Sequence, residues 1–195
     1  MKRKIVFQFI IFVFSSIYPA FADTYTWQET NDGNWATTSN WSPAGAPGTG
    51  DSVTFNSASD NAIIDVGSGL TIKDIQFDTA SAAAYTIGSG GAKSQTLTLD
   101  DGGSITMSSA VANNETINSN ITLGNGTATA SFSLTNDTAG NALTIAGAIT
   151  GSTGAYTRTL TVTGDGTITL SGAITDGGGT VGLTKSGSGT LNTSG

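Results

Sequence analysis

The stretch TLSGAIT at residues 169–175 repeats TIAGAIT at residues 144–150 almost residue for residue, so that Thr169 corresponds to Thr144. A weaker upstream copy, TMSSAV, begins at Thr106. In each copy two aliphatic residues flank a small pair, which predicts two short strands that meet at a corner. The spacing of the two strong copies lies within the range of solenoid repeats, in which each unit buries little alone and the stack supplies the core.

Large aliphatic residues alternate with Thr or small polar residues along most of the chain, as in strands with one buried face. These strand candidates are residues 63–66, 70–77, 96–99, 104–107, 120–123, 143–145, 160–162 and 167–170. We predict an all-β chain that forms a parallel β-solenoid of six or seven rungs, roughly 30 Å long at about 4.8 Å per rung. A β-sandwich also uses many short strands and is the alternative, but it does not require the internal repeat.

The composition excludes several kinds of catalytic site. The 195 residues include 27 Gly and only 11% charged residues, with no Cys and no His. Disulfides, thiolate metal sites, Ser–His–Asp or Cys–His catalysis and imidazole metal sites are therefore excluded. No cofactor is predicted.

The N-terminal segment, from Met1 to Ala22, has the pattern of an export signal. Three basic residues (Lys2, Arg3 and Lys4) precede an apolar segment at residues 5–17, and Ala20 and Ala22 give the small-x-small cleavage pattern. Cleavage would leave Asp23 as the first mature residue and change the formal net charge from −7 to −10. Such an acidic surface argues against nucleic acid and anionic lipid as partners, and no membrane span is predicted in the mature chain.

Residues 23–55 differ from the rest because they contain all three tryptophans, Trp27, Trp35 and Trp41, separated by Asn, Asp, Gly and Pro. Stacked indoles could form a platform for sugars. The favoured interpretation is an N-terminal cap that covers the apolar end of the solenoid. The predicted organisation is thus a signal at residues 1–22, a Trp-rich cap at 23–55, and rungs at 56–195.

The C-terminal part of the chain resembles the passenger-associated repeat of bacterial autotransporters. The resemblance covers residues from about 143 to 195 and is strongest in GLTKSGSGTL at residues 182–191. The motif positions are Gly182, Leu183, Thr184, Lys185, Gly187, Gly189, Thr190 and Leu191. Thr193 departs from the family pattern, which has an apolar residue there. The Trp-rich start, with GNW at 33–35 and NWSP at 40–43, also looks like the beginning of such passengers.

The resemblance implies a right-handed parallel β-helix that is exported by the Sec route and displayed at the outer membrane or outside the cell. The family's translocator barrel is not in this sequence; a periplasmic location is expected if no barrel accompanies the chain. The expected function is structural or adhesive, with a host or neighbouring-cell surface, protein or glycan, as the partner. An uncovered rung edge could also support self-association.

A polysaccharide-acting enzyme on the same scaffold is the alternative function. The candidate acids are Asp74, Asp78, Asp100 and Asp101, because paired carboxylates can hydrolyse glycosides. This hypothesis requires the acids to meet in one groove. Lys73, Lys93, Arg158 and Lys185 are scattered and are interpreted as solvated strand or turn positions.

Overall fold

The computed structural model describes residues 22–28, 32–90 and 93–194. The described chain is a β-solenoid of about six turns, with a single-turn 3-10 helix at Thr38–Asn40. The predicted signal, apart from Ala22, lies outside the described residues. Neighbouring strands are parallel apart from one pair at the N-terminal end. Parallel pairing between successive turns is typical of a solenoid, whereas the strands of a sandwich are antiparallel.

Each turn of the solenoid contributes strands to three faces, which we call the first, second and third. The second face is a six-stranded parallel sheet. Its strands are β4 (Ile63–Ile64), β6 (Thr86–Ile87), β8 (Glu115–Ile117), β11 (Ala142–Ile145), β14 (Thr167–Leu170) and β17 (Thr190–Thr193).

The first and third faces belong to one continuous sheet because two long strands bend around the corner between them. These are β5 (Leu70–Phe77) and β7 (Thr96–Met107), whose pairing changes register after Ile72. The remaining first-face strands are β1 (Thr24–Trp27), β3 (Ser52–Phe55), β10 (Ala130–Asn136), β13 (Thr157–Thr163) and β16 (Thr180–Lys185). The remaining third-face strands are β9 (Asn120–Leu123), β12 (Ile149–Gly151) and β15 (Ile174–Thr175).

The repeat seen in the sequence is the repeat of the structure. Thr144 pairs with Thr169 on the second face, and Thr150 pairs with Thr175 on the third, as the aligned copies predict. The small residues between the two aliphatic positions form the corner. Gly172 is required there, since a Cβ on it would lie 2.3 Å from the carbonyl oxygen of Gly147 in the preceding rung.

The weaker upstream copy was assigned to the wrong segment. Thr106 lies on the first face and pairs with Thr135. The segment in register with Thr144 begins instead at Thr116. The prediction failed because the true copy, TINSNIT at residues 116–122, has polar corner residues in place of Ala and Gly.

Inward side chains stack in columns that run along the solenoid axis. On the second face one column is aliphatic through five rungs and ends in a threonine. Its members are Ile64, Ile87, Ile117, Ile145, Leu170 and Thr193. The first five are at most 1% exposed, so this column is the continuous core that individual rungs could not form.

The N-terminal end of the core is closed by the tryptophans. Strand β2 (Trp41–Ser42) pairs antiparallel with β1 and so occupies the outer edge of the first-face sheet. The Trp41 ring lies 4.9 Å from the Trp27 ring and 4.7 Å from the Trp35 ring, both edge-on. Since β1 and β3 continue the first-face sheet, the cap region is also part of the stack.

The rung formed by β16 and β17 is the least covered. Leu183 occupies an inward column below Leu160 yet is 40% exposed. Lys185 stands in register with buried Val162, and Thr193 with buried Leu170. Two inward positions of this rung thus carry polar side chains, so it buries less apolar surface than the rungs before it.

Candidate functional site

Two shallow, hydroxyl-lined grooves lie on the outer surface of the solenoid. The first groove, about 410 Å³, lies on the first face near the Trp cap. It is lined by outward side chains of Thr24, Ser52, Thr54, Asp74, Gln76 and Ser104. Asp74 is the centre of this row, because its carboxylate accepts hydrogen bonds from Ser52 Oγ at 2.9 Å and Ser104 Oγ at 2.6 Å.

The second groove, about 510 Å³, lies where the third face turns into the first. Its floor is a ladder of threonines in register, and its wall is formed by the corners that follow β9 and β12. The floor residues are Thr71, Thr98, Thr122 and Thr150. The wall residues are Gly124, Asn125, Gly151, Ser152 and Thr153.

The four candidate acids do not line a common groove. Asp74 lies in the first groove, whereas Asp78 accepts a hydrogen bond from Ser108 Oγ at 2.7 Å and lines neither groove. Asp100 and Asp101 lie beside the second groove, where both carboxylates bond Asn125. The convergence on which the enzyme hypothesis depends is therefore not seen.

Arg158 corrects the prediction of a solvated position, because it is completely buried. Its guanidinium donates to the carbonyl oxygens of Leu123, Gly154 and Tyr156 at 2.8–3.0 Å and to Ser152 Oγ at 2.6 Å. Peptide dipoles and a hydroxyl thus replace the lost hydration of the cation. The planar fork of donors joins two successive rungs and fixes the corner that forms the groove wall.

Lys73 is half-buried, and its ammonium group donates to the carbonyl oxygen of Asp101. Lys93 and Lys185 are exposed, as predicted. The Lys185 ammonium group donates to the carbonyl oxygen of Gly187 at 3.1 Å, within its own turn.

Glu115 is a buried carboxyl that the sequence analysis did not identify. It occupies an inward column of the second face whose later members are Leu143, Ile168 and Leu191. Its Oε2 accepts the backbone N–H of Tyr85 at 2.8 Å, while its Oε1 has no hydrogen-bond partner within the described structure. Desolvation raises the pKa of Glu115 to about 8, so the group is mainly protonated at neutral pH.

The three tryptophans of the proposed sugar platform are placed in the core. Trp27, Trp35 and Trp41 are each at most 3% exposed, and the Trp41 Nε1–H donates to the carbonyl oxygen of Trp35 at 2.8 Å. Buried ring faces are unavailable for stacking on a sugar. The burial of the three rings and their contacts with one another agree with the interpretation of this segment as a cap on the end of the core.

The residues of the predicted cleavage site are only partly described. Ala20 lies outside the described residues, and Ala22 and Asp23 are exposed. The backbone N–H of Asp23 donates to Asp51 Oδ1 at 2.9 Å.

The GLTKSGSGTL motif forms the greater part of one rung. Gly182, Leu183, Thr184 and Lys185 lie in β16, and Thr190 and Leu191 lie in β17. Between them Gly187 has a φ of +72°, and a Cβ on Gly189 would lie 2.1 Å from the carbonyl oxygen of Gly166. The two glycines of the turn are thus required by the backbone and by the rung beneath.

In the described part of the chain, no cluster of three or more Asp or Glu side chains is placed so that it could hold a metal ion. Helices long and apolar enough to cross a bilayer are likewise lacking among residues 22–28, 32–90 and 93–194.

The chain matches no protein family model, and neither a curated protein nor a solved structure matches it. The resemblance to autotransporter passengers therefore depends on the residues of the repeat and cap alone.

Proposed function

We propose that this chain is an exported, surface-displayed structural and adhesive module of an autotransporter-like protein. The observation that carries the proposal is the fit of the passenger-like motif to a solenoid rung. The unit at residues 180–193 keeps one register with residues 157–170 through both strands, from Thr180 opposite Thr157 to Thr193 opposite Leu170. The motif therefore encodes a stackable unit with glycine corners, as a passenger repeat requires.

The solenoid offers a rigid surface for contact with another cell. Outward columns of Thr and Ser extend along its faces, for example Thr116, Thr144 and Thr169 on the second face. The side chains are held at the strand spacing of about 4.8 Å, so little side-chain ordering is needed when a partner binds. The mechanism of adhesion is thus the repetition of weak polar contacts along a preorganised surface.

Self-association is a further part of this proposal. Among the described strands, β16 and β17 each pair on one side only, with β13 and β14. Unpaired edges can accept a strand from another molecule. Sedimentation velocity over a range of protein concentrations tests this: a monomer at every concentration would exclude association through these edges.

Adhesion can be measured with fluorescent beads that carry the purified full chain. We expect the beads to bind host epithelial cells or bacterial cells more than beads coated with albumin do. Binding equal to the albumin control on all cell types would contradict the adhesive function.

Export can be tested separately in a Gram-negative host. We expect the exported protein to begin at Asp23. Where a translocator barrel accompanies the chain, a protease added to intact cells should cleave it, and without a barrel it should remain protected in the periplasm. A protein that retains Met1 and is recovered from the cytoplasm would contradict both the signal and the surface location.

A further inference from the structure

We infer that the second groove binds an extended, uncharged polysaccharide chain that lies parallel to the solenoid axis. This inference rests on the proposed function, since it identifies the ligand class through which the module would adhere. It follows from the floor, the wall and the charge of the groove.

The floor presents one threonine from each of four successive rungs. Thr71, Thr98, Thr122 and Thr150 are in register and are all half-buried. At about 4.8 Å per rung they extend over roughly 14 Å. Each offers a hydroxyl that can donate and accept, and a methyl group. A sugar presents the same combination of hydroxyl and C–H groups.

The wall gives an extended ligand one side to lie against, and its corners are closely packed before binding. It is made of stacked glycine-containing corners, and a Cβ on Gly154 would lie 2.2 Å from the carbonyl oxygen of Gly126 in the rung before. Arg158 binds Ser152 and the carbonyl oxygen of Gly154 from inside the corner. Since the wall needs no reordering when a ligand enters, the usual cost of ordering a binding loop is small.

The charge at the groove margin favours a neutral ligand. Asn125, a wall residue, lies against the carboxylates of Asp100 and Asp101. The Lys73 ammonium group, which donates to the Asp101 carbonyl oxygen, offsets only one of these two negative charges. The chain as a whole has a formal net charge of −7. An anionic polysaccharide would be repelled, whereas a neutral one would meet hydroxyl and amide groups. In an extended β-1,4-linked chain each sugar advances by about one strand spacing, so successive sugars would face successive threonines.

The probes are cellohexaose and chitohexaose, with hexamannuronate as the anionic β-1,4-linked counterpart, added to the full chain in isothermal titration calorimetry. We expect saturable binding of at least one neutral probe and at least about ten-fold weaker binding of hexamannuronate. Failure of both neutral probes to bind at millimolar concentration would overturn the inference. Equal affinity for the anionic probe would also overturn it, because the charge argument would be wrong.

Paired valine variants locate the site. Thr98→Val with Thr122→Val removes two floor hydroxyls without changing side-chain shape, and each lost hydroxyl should weaken binding about five-fold. The matched control is Thr135→Val with Thr163→Val, a pair of half-buried outward threonines in register on the first face that lines neither groove. An equal loss of affinity in both pairs, or no loss in the first, would overturn the assignment of the groove.

The adhesion assay separates this inference from the proposed function. If beads adhere to cells but neutral oligosaccharides neither bind nor compete, the groove assignment is wrong and the adhesive function stands. If the oligosaccharides bind and require Thr98 and Thr122 while the beads adhere to no cell, the groove assignment stands and the adhesive function fails.

Discussion

Glu115 makes the stability of the solenoid depend on pH in a range where the sequence contains few other titrating groups. Its carboxyl is buried and stands beside Leu143 in an inward column. Its pKa is raised from 4.5 to about 8 because burial disfavours the charged form. The folded state therefore holds a proton that the unfolded state releases, so stability should fall as pH rises from about 4.5 to about 8 and be constant above.

The size of the effect follows from the two pKa values. Each pKa unit is worth about 1.4 kcal/mol, so the shift corresponds to a loss of about 5 kcal/mol across the window. That is a large part of the roughly 5–15 kcal/mol that stabilises a typical domain. The chain has no His and no Cys to titrate in the same range.

The other perturbed groups titrate outside the window. Asp65 and Asp32 have pKa values below their usual range, chiefly because they accept the backbone N–H groups of Gly67 and Asn34. Burial raises the pKa of Tyr25 above its ordinary value of 10.0. A change in stability between about pH 5 and pH 9 should therefore report mainly on Glu115.

The assay is urea unfolding followed by far-UV circular dichroism at several pH values in this window. Glu115→Gln keeps an acceptor for the Tyr85 N–H but cannot ionise, so its unfolding free energy should be nearly independent of pH and should exceed that of the parent at high pH. Asp137→Asn, a change at an exposed carboxylate, is the control and should keep the parental slope. A parent whose stability is flat across the window, or a Gln variant that keeps the full slope, would refute the reasoning.

Three further predictions concern the packing of single rungs. Gly189→Ala should lower the unfolding free energy by about 1–3 kcal/mol in a urea titration, because its Cβ would lie 2.1 Å from the carbonyl oxygen of Gly166. Gly182→Ala is the control and should cause no loss, because the nearest atom to its Cβ would be 3.9 Å away. Trp41→Ala should cost about 3–5 kcal/mol, measured by thermal unfolding, because it empties the centre of the cap; a loss below about 1 kcal/mol would be inconsistent with the cap. Thr193→Leu should extend the aliphatic column and slow amide hydrogen exchange in β17, and unchanged exchange there would contradict its inward placement.

Much of the fold could be predicted because it depends on short-range patterns. The alternation of aliphatic residues with Thr identifies the strands, and the alignment of Thr144 with Thr169 is their true register. The Trp-rich segment also lies at the end of the core, as expected of a cap. These features follow from local spacing and side-chain type alone.

The remaining features depend on register between rungs of unequal length. Along the second-face column that ends at Thr193, the step from Ile87 to Ile117 is the longest, and the step from Leu170 to Thr193 is among the shortest. Because the steps vary and the corner of the true copy at residues 116–122 is polar, the upstream copy was misplaced at Thr106, and the inward position of Glu115 was missed with it. Arg158 was misjudged for a related reason, since its partner, the carbonyl oxygen of Leu123, belongs to an earlier rung that is distant in the sequence.

The two ends of the described stack differ in how strongly they resist unfolding. In a solenoid, stability is the sum of each rung's own contribution and its contacts with neighbouring rungs. At the N-terminal end the cap adds a buried aromatic cluster around Phe55, with Trp27 5.8 Å and Tyr85 4.8 Å from its ring. At the other end Lys185 and Thr193 replace apolar residues of two columns. Local unfolding should therefore begin at β16 and β17 and reach the aromatic end last.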